Sequence, residues 1–215
     1  MGKLCREKPK NEQDWILARA KRGIGGSDAA NIVGISAWKN ASELWQEMVG
    51  ERKPQDISNN PLIEQGHRME KPIRDMYKTY HKDRKVTYHK YDLLYQSDRP
   101  WLFATLDGEI TLPDKRRGIL ECKTSTPIGK AAWEKWNYQV PDTYLIQALH
   151  QMLATGWDFV DLVALLINKE EDFTFRTYRI ERAEHEEEMA WLLEKETEFW
   201  DSVQHKKIPP MTLVF

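Results

Sequence analysis

The segment ILECKTS contains an acid and a lysine two positions apart in an otherwise hydrophobic run. In a β-strand, successive side chains point to opposite faces, so Glu121 and Lys123 share one face. Leu120, Cys122 and Thr124 lie on the other face. The segment therefore predicts a strand that holds a carboxylate beside an ammonium group.

A second acid, Asp107 in the segment ATLDG, is predicted to end or bend the neighbouring strand, with Gly108 relieving the backbone there. A hairpin would bring Asp107 close to Glu121. Two nearby carboxylates repel each other unless a cation lies between them, and Mg²⁺ prefers such oxygen ligands. A neighbouring lysine can orient or deprotonate a water, or neutralise charge on a phosphate. This arrangement is typical of metal-dependent nucleases. The alternative is an exposed Glu–Lys pair on an edge strand, worth on the order of a few tenths of a kcal/mol.

Polar residues on two predicted helices favour the site over that alternative. Glu70 lies on the apolar stripe of its helix with Ile73 and Tyr77, and a buried acid needs a partner such as a metal. Gln147 and Gln151 share one face of the helix that follows the ILECKTS strand, where amides can hold a water or a phosphate. Taken singly, each is also explained as a satisfied polar residue at the border of the core.

The segment GIGGSDAANIVG, residues 23–34, has the composition of an anion-binding turn but lacks the lysine of a nucleotide-binding P-loop. Its glycines let a ligand approach the backbone, and Ser27 and Asp28 are predicted to cap the helix that follows. The alternative is a capped helix after a glycine turn. Three basic residues on the preceding helix add full charges: Arg19, Lys21 and Arg22.

Hydrophobic periodicity predicts the elements that position these residues. The fold class is predicted as mixed α/β (α+β), a central mixed sheet flanked by helices. Ser42 is the expected N-cap of the second helix, and Pro72 should kink the third or start another. Predicted helices cover 11–20, 41–50, 61–82, 144–156 and 181–206, and strand-like segments cover 85–96, 101–112, 117–125, 158–167 and 173–180.

Composition is typical of a soluble globular protein, with 40% hydrophobic and 31% charged residues among 215. No apolar run approaches the roughly 20 residues of a membrane span, and the N-terminus lacks a signal-peptide core. The two cysteines cannot build a four-cysteine cluster, and a reducing cytoplasm is expected. The net charge of −2 hides an asymmetry, because residues 181–201 carry nine acids and two bases. The remainder is positive, which indicates either a face for a polyanion or ordinary surface charge.

In chain order, these motifs resemble those of the YqaJ-type viral recombinases and, more distantly, phage lambda exonuclease, within the PD-(D/E)XK nuclease fold. The resemblance covers residues 15–154, and the ordered set is specific although each motif alone is weak. The motifs are W-x-x-x-R (Trp15, Arg19), GIGGSDAANIVG, SELW (42–45), G-x-x-x-E-x-P (Gly66, Glu70, Pro72), LDG (106–108), ECK (121–123) and Y-x-x-Q-x-x-x-Q (Tyr144, Gln147, Gln151).

The resemblance implies a Mg²⁺-dependent 5′→3′ exonuclease that degrades one strand of linear double-stranded DNA and leaves 3′ tails for strand annealing. It implies two Mg²⁺ ions, with Mn²⁺ as a substitute, a single-strand annealing protein as partner, and a homotrimer in the cytoplasm of a bacterial or phage-infected cell, without a membrane. One exonuclease domain, 1–215, would comprise a 5′-phosphate-binding region (12–50), a nuclease core (62–180) and a C-terminal helix (181–206).

Carried over by position, the resemblance also assigns roles to individual residues. Leu106 departs from the family pattern, which has proline there, and a longer spacing after Arg19 leaves Lys21 or Arg22 able to share its role. The alternatives are an endonuclease of the same fold and a non-catalytic DNA-end-binding module. The implied roles are metal ligands (Asp107, Glu121, the Cys122 carbonyl), the completing acid (Glu70), water activation (Lys123), support (Gln147) and 5′-phosphate binding (Arg19, Ser27).

Overall fold

The computed structural model describes residues 2–56, 59–170 and 172–209. Over these residues one strand is followed by four helices, five strands, two helices, two strands and a last helix, which a short 3-10 helix (Arg182–Glu184) precedes. The helices are α1 (Glu12–Arg22), α2 (Gly26–Ile32), α3 (Ala41–Met48), α4 (Pro61–Tyr80), α5 (Lys130–Glu134), α6 (Asp142–Thr155) and α7 (Glu186–Gln204). The strands are β1 (Leu4–Glu7), β2 (Lys85–Thr87), β3 (Leu93–Gln96), β4 (Arg99–Ala104), β5 (Gly108–Thr111), β6 (Arg117–Ser125), β7 (Phe159–Ile167) and β8 (Phe173–Glu181).

The strands form two sheets rather than one. The larger has the order β2-β5-β6-β7-β8, and the smaller has the order β1-β3-β4. All pairs are antiparallel except β6 and β7, which are parallel and are joined through α6. A parallel pair needs such a crossover because its strands begin at the same edge of the sheet. Every residue of β7 is buried, as expected for a central strand covered on both faces.

The strand-like segment 101–112, expected to end or bend at Asp107, is two strands that belong to different sheets. β4 lies in the small sheet, and β5 lies in the large one next to β6. Residues 105–107 bridge them, so Asp107 stands where the chain passes between sheets. Gly108 follows opposite Leu120, and a Cβ there would lie 3.1 Å from the Leu120 Cβ. The segment 85–96 is likewise divided, into β2 and β3.

α4 is one helix that continues through Pro72, so no second helix starts there. The predicted N-cap of α3 was wrong. The N-cap of α3 is Asn40, whose side chain accepts a hydrogen bond from the Glu43 N–H, and Ser42 lies inside the first turn. β1 and α5 were not predicted.

The core lies on both sides of the large sheet. α6 packs with β6, β7 and the small sheet on one side, and α4 packs against β6 and β7 on the other. α7, the acidic C-terminal helix, packs against α6, α2 and α3, and its Trp200 stacks on Trp101 with ring centroids 6.0 Å apart. Within the described ranges, no helix has both the length and the apolar character for a membrane crossing.

Candidate active site

The sequence-predicted site residues line one cavity of about 310 Å³. It opens where β6 and the β4–β5 passage meet the facing sides of α2, α4 and α6. With Arg19 from α1, residues from six separate parts of the chain are thus brought together by the fold. The predicted residues on its wall are Arg19, Ser27, Glu70, Asp107, Glu121, Cys122, Lys123 and Gln147.

Glu121 and Lys123 form an ion pair on one face of β6. Lys123 Nζ lies 2.7 Å from Glu121 Oε1 and donates to Gln147 Oε1 at 2.8 Å. The Lys123 side chain is only 18% exposed, so its ammonium group is held inside the site. Burial opposes its charged form, but Glu121 outweighs that effect and raises the pKa of Lys123. The lysine is therefore a fixed cation, unlike one on an exposed edge strand.

Two glutamines of α6 hold Glu121 in place. Gln147 Nε2 donates to Glu121 Oε1 at 2.7 Å, and Gln151 Nε2 donates to Oε2 at 2.6 Å. Their spacing of four residues places both amides on one helix face. Gln151 Oε1 is buried and accepts no hydrogen bond from the described residues. This orphaned oxygen points to a group that the protein itself does not supply.

Asp107 is a half-buried carboxylate near those of Glu121 and Glu70. Its Oδ2 accepts a hydrogen bond from the Cys122 N–H at 2.8 Å, and Arg74 donates to its main-chain oxygen at 2.5 Å. Burial raises the pKa of Asp107 well above its usual range, and Glu121 and Glu70 raise it further. Burial also raises the pKa of Glu70. The three acids form a region of negative charge that a bound cation would neutralise.

The chemistry of this cluster fits a hard divalent cation. Carboxylate oxygens from Asp107 and Glu121, together with a main-chain carbonyl, are the donors that Mg²⁺ prefers. Across the described part of the chain, no group of three or more His, Cys, Asp or Glu side chains is already arranged around a metal position. Glu121 is instead turned toward Lys123 and the two glutamines. Two side chains with a carbonyl and waters still suffice, because Mg²⁺ retains several waters.

Arg19 supplies an available cation on the opposite wall. Its guanidinium lies 4.6 Å from the Trp15 ring centroid and 6.0 Å from that of Phe103. Burial lowers the pKa of Arg19, and the nearby Asp28 carboxylate counteracts this. Among the residues with described positions, none forms a hydrogen bond or ion pair with it. Such a guanidinium keeps its donors for an anionic ligand.

The prediction that Ser27 and Asp28 cap α2 was wrong. The N-cap is Gly25, and the Asp28 carboxylate accepts a hydrogen bond from the Gly25 N–H at 3.0 Å. Asp28 thus acts from the third helical position, as the acid of a capping box does. Gly26 lets α2 approach α6, because a Cβ there would lie 3.3 Å from Gln147 Cγ. Ser27, the next residue of α2, lines the site cavity.

Of the three basic residues on α1, Arg19 lines the site cavity. Arg22 pairs with Glu7 and donates to the Pro100 carbonyl at 3.2 Å. Lys21 lines a different cavity, which lies between α1, α3 and α7. The geometry therefore favours Arg19 over its neighbours as a ligand of the site.

Sequence reasoning missed a buried ion pair behind the glutamines. His150, on α6 between Gln147 and Gln151, has Nδ1 2.6 Å from Glu196 Oε1 and Nε2 2.9 Å from the Phe103 carbonyl oxygen. Burial disfavours the imidazolium, but Glu196 outweighs it and raises the pKa of His150. The pair ties α7 to α6. Residues 181–201 contain nine acids, and nothing in the sequence indicates that Glu196 is the one that is buried.

Solved structures of nucleases share this fold. An alkaline exonuclease (LHK-Exo) from Laribacter hongkongensis superposes with a TM-score of 0.69 at 21% identity, over 91% of this chain and 94% of that one. A phage-related exonuclease from Haemophilus somnus 129PT matches with a TM-score of 0.55 at 11% identity, over 86% of this chain and 96% of that one. The predicted fold class, a mixed sheet flanked by helices in the PD-(D/E)XK nuclease class, is confirmed.

Sequence comparison then identifies the family. The model of the YqaJ-like viral recombinase domain matches residues 14–158, and the chain belongs to this family. The protein YqaJ of Bacillus subtilis (strain 168), whose function is uncharacterised, is 26% identical over 198 residues. That match covers 92% of this chain, and it spans 58% of the length of the relative.

Proposed function

We propose that this protein is a Mg²⁺-dependent exonuclease that degrades one strand of linear double-stranded DNA from its 5′ end. The 3′ tails left behind would serve recombination by strand annealing. One observation carries the proposal: the cavity that holds Asp107, Glu121 and Lys123 also contains an unpaired arginine. Membership of a viral recombinase family and the fold shared with alkaline exonucleases support it.

Each residue of the cluster has a separate role in this proposal. Asp107, Glu121 and the Cys122 carbonyl would hold Mg²⁺, and Glu70 would add negative charge to the site. When bound, Mg²⁺ can lower the pKa of a water and stabilise a leaving oxygen, and Mn²⁺ can replace it. Lys123 is placed to orient the attacking water and to neutralise charge on the phosphate. Gln147 and Gln151 fix the position of the Glu121 carboxylate on the cavity wall.

Arg19 and Ser27 would anchor the 5′-phosphate. A terminal phosphate carries more charge than an internal one, so a buried guanidinium discriminates between an end and a continuous strand. The anchor lies on the same cavity as the acid cluster. An end held there would place the first phosphodiester bonds beside Asp107 and Glu121, which favours removal of nucleotides from that end.

Replacing Arg19 with alanine is expected to lower kcat/KM on 5′-phosphoryl duplex by about ten- to a hundredfold, since a hydrogen bond to a charged group is worth about 1.5–3 kcal/mol. The rate on 5′-hydroxyl duplex should change much less, because that end lacks the charge that Arg19 contacts. Initial rates of nucleotide release on the two ends measure this. Lys21→Ala, on the same helix but facing another cavity, is the matched control. Equal wild-type rates on both ends would reject the anchor.

Linear and closed circular duplexes, labelled at either end and incubated with and without Mg²⁺, test the overall proposal. We expect release from the 5′-labelled end of the linear duplex only with Mg²⁺, and no cleavage of the circle. Cutting of the circle would indicate an endonuclease on the same fold. Binding of ends without release would indicate a non-catalytic end-binding module.

The assembly is a further part of the proposal. By resemblance, the chain would form a homotrimer around DNA and work beside a single-strand annealing protein in the cytoplasm. Sedimentation equilibrium of the purified chain would test the trimer. A monomer that digests linear duplex would reject the ring while leaving the active site proposal intact.

A further inference from the structure

A second, larger cavity of about 530 Å³ adjoins the candidate site. Arg19, Glu70 and Asp107 line both cavities. The far wall of the second cavity comes from α1 and from the connection between β2 and β3, residues 88–92. Its volume lies in the range of about 300–1,000 Å³ that small-ligand pockets occupy. We call this space the aromatic cleft because Trp15, Tyr88 and Tyr91 face it.

The aromatic cleft combines ring faces with cations. The Arg74 guanidinium carbon lies 3.9 Å from the Tyr88 ring centroid, and Lys90 Nζ lies 4.6 Å from that of Tyr91. The Tyr91 and Trp15 ring centroids are 6.0 Å apart at 45°. Tyr88 is 39% exposed, so part of its ring is open to a ligand. Rings flanked by positive charge are the surfaces on which proteins stack bases of unpaired nucleic acid.

The connection that carries these rings is anchored. Arg6 of β1 pairs with Asp92 at 2.6 Å and with Glu109 of β5 at 2.7 Å, which ties residue 92 to both sheets. Tyr91 has a φ of +71°, a backbone conformation that costs energy for a residue with a bulky side chain. A strained conformation persists only where its surroundings fix it. The backbone at residues 91 and 92 is therefore held in place before any ligand arrives.

The proposed function places a nucleotide between Arg19 and Asp107. A 5′-phosphate on Arg19 and a reacting phosphodiester at Asp107 leave the first sugar and base between these two residues. Both residues line the aromatic cleft. The terminal base must leave the stack of the duplex before the DNA strand can enter the site. We propose that the aromatic cleft binds the unstacked base of the 5′-terminal nucleotide against Tyr88 and Tyr91. This inference rests on the proposed exonuclease function.

Stacking explains how such a site accepts any sequence. Every base has a π-face, so an aromatic surface binds all four without reading their hydrogen-bonding edges. The site would hold the terminal base out of the duplex while its phosphodiester bond lies at the acid cluster. The substrate class is then a 5′-phosphorylated end whose terminal nucleotide retains its base.

The test compares two 5′-phosphorylated duplexes, one normal and one lacking the base of the 5′-terminal nucleotide. Fluorescence anisotropy in EDTA measures their Kd, so the readout does not depend on metal or catalysis. The wild type should bind the normal end about fivefold to a hundredfold more tightly. Tyr88→Ala and Tyr91→Ala should each remove most of that difference. Tyr88→Phe, which keeps the ring, and Tyr80→Ala, an aromatic 71% exposed outside the cleft, should retain it.

Two results would overturn this inference without overturning the exonuclease proposal. One is equal wild-type affinity for the two duplexes, together with normal nucleotide release from linear DNA in Mg²⁺. The other is an effect of base removal that appears only at the 3′ terminus of the opposite strand, since the cleft would then hold that strand. Absence of both end binding and nucleotide release would overturn the exonuclease proposal itself, and this inference with it.

Discussion

Replacement of Lys123 by alanine is expected to slow nucleotide release from linear duplex DNA by about a thousandfold, within the range of lost proton-transfer and electrostatic assistance. The ammonium group lies 2.7 Å from Glu121 and 2.8 Å from Gln147, inside the cavity. The side chains that Lys123 contacts are those of Glu121, Gln147 and Tyr144, and none of these carries a positive charge that could replace the ammonium group. Single-turnover digestion of a 5′-labelled duplex in Mg²⁺ measures the loss.

DNA-end binding should survive this change, because the proposed phosphate ligands, Arg19 and Ser27, belong to α1 and α2 and not to β6. Lys123→Met retains the aliphatic chain and separates the loss of charge from the loss of packing. Lys130→Ala is the control and should keep full activity, because the Lys130 side chain is 89% exposed and, among the described residues, forms an ion pair with Glu134. A fully active Lys123→Ala variant with an unchanged unfolding temperature would remove the lysine from the mechanism.

The parts of the site that sequence could predict are those set by local periodicity. The alternation in ILECKTS places Glu121 and Lys123 on one strand face, and the structure shows their ion pair. The spacing of Gln147 and Gln151 places both amides on one helix face, where they meet Glu121. In each case a repeat of two or of 3.6 residues is enough.

Other features depend on contacts between distant parts of the chain. Asp107 and Gly108 indicated a break in the strand, but a repeat of two residues looks the same in either sheet, so the sequence did not show that β4 and β5 belong to different sheets. β1 spans four half-buried residues and exists through pairing with β3, about ninety positions away. Tyr88 and Tyr91 lie in a connection whose position is set by Arg6 and Asp92. No local pattern encodes such a pairing, and the aromatic cleft was missed for that reason.

Replacement of Asp107 by asparagine is expected to reduce nucleotide release by a thousandfold or more. In the absence of metal, the same replacement is expected to raise the stability of the folded protein. The loss of rate follows because Asp107 is a proposed Mg²⁺ ligand. Stability should rise because one of three clustered acids becomes neutral. Burial, Glu121 and Glu70 together raise the pKa of Asp107. Removing a charge from this cluster relieves repulsion that Lys123 alone does not offset.

The pH dependence of stability follows from the raised pKa of Asp107. Between the ordinary aspartate pKa and the raised one, the folded protein binds more protons than the unfolded protein. Stability contributed by this group is therefore lost as pH rises through that window, and the loss persists at higher pH. In EDTA, the unfolding temperature of the wild type should fall more between pH 5 and pH 8 than that of Asp107→Asn. Asp114→Asn, an exposed acid paired with Arg116, is the control.

In the presence of Mg²⁺, the wild type should become more stable than Asp107→Asn, the reverse of their order without metal. A ligand that binds only the folded state stabilises by about 2.7 kcal/mol at a concentration one hundred times its Kd. The wild type should gain this increment, and more so at pH 8, where Asp107 is more fully ionised. Asp107→Asn should gain little, because it has lost a charged ligand. Equal Mg²⁺-induced shifts in unfolding temperature for both proteins would place the ion elsewhere, and the clustered acids would then need another explanation.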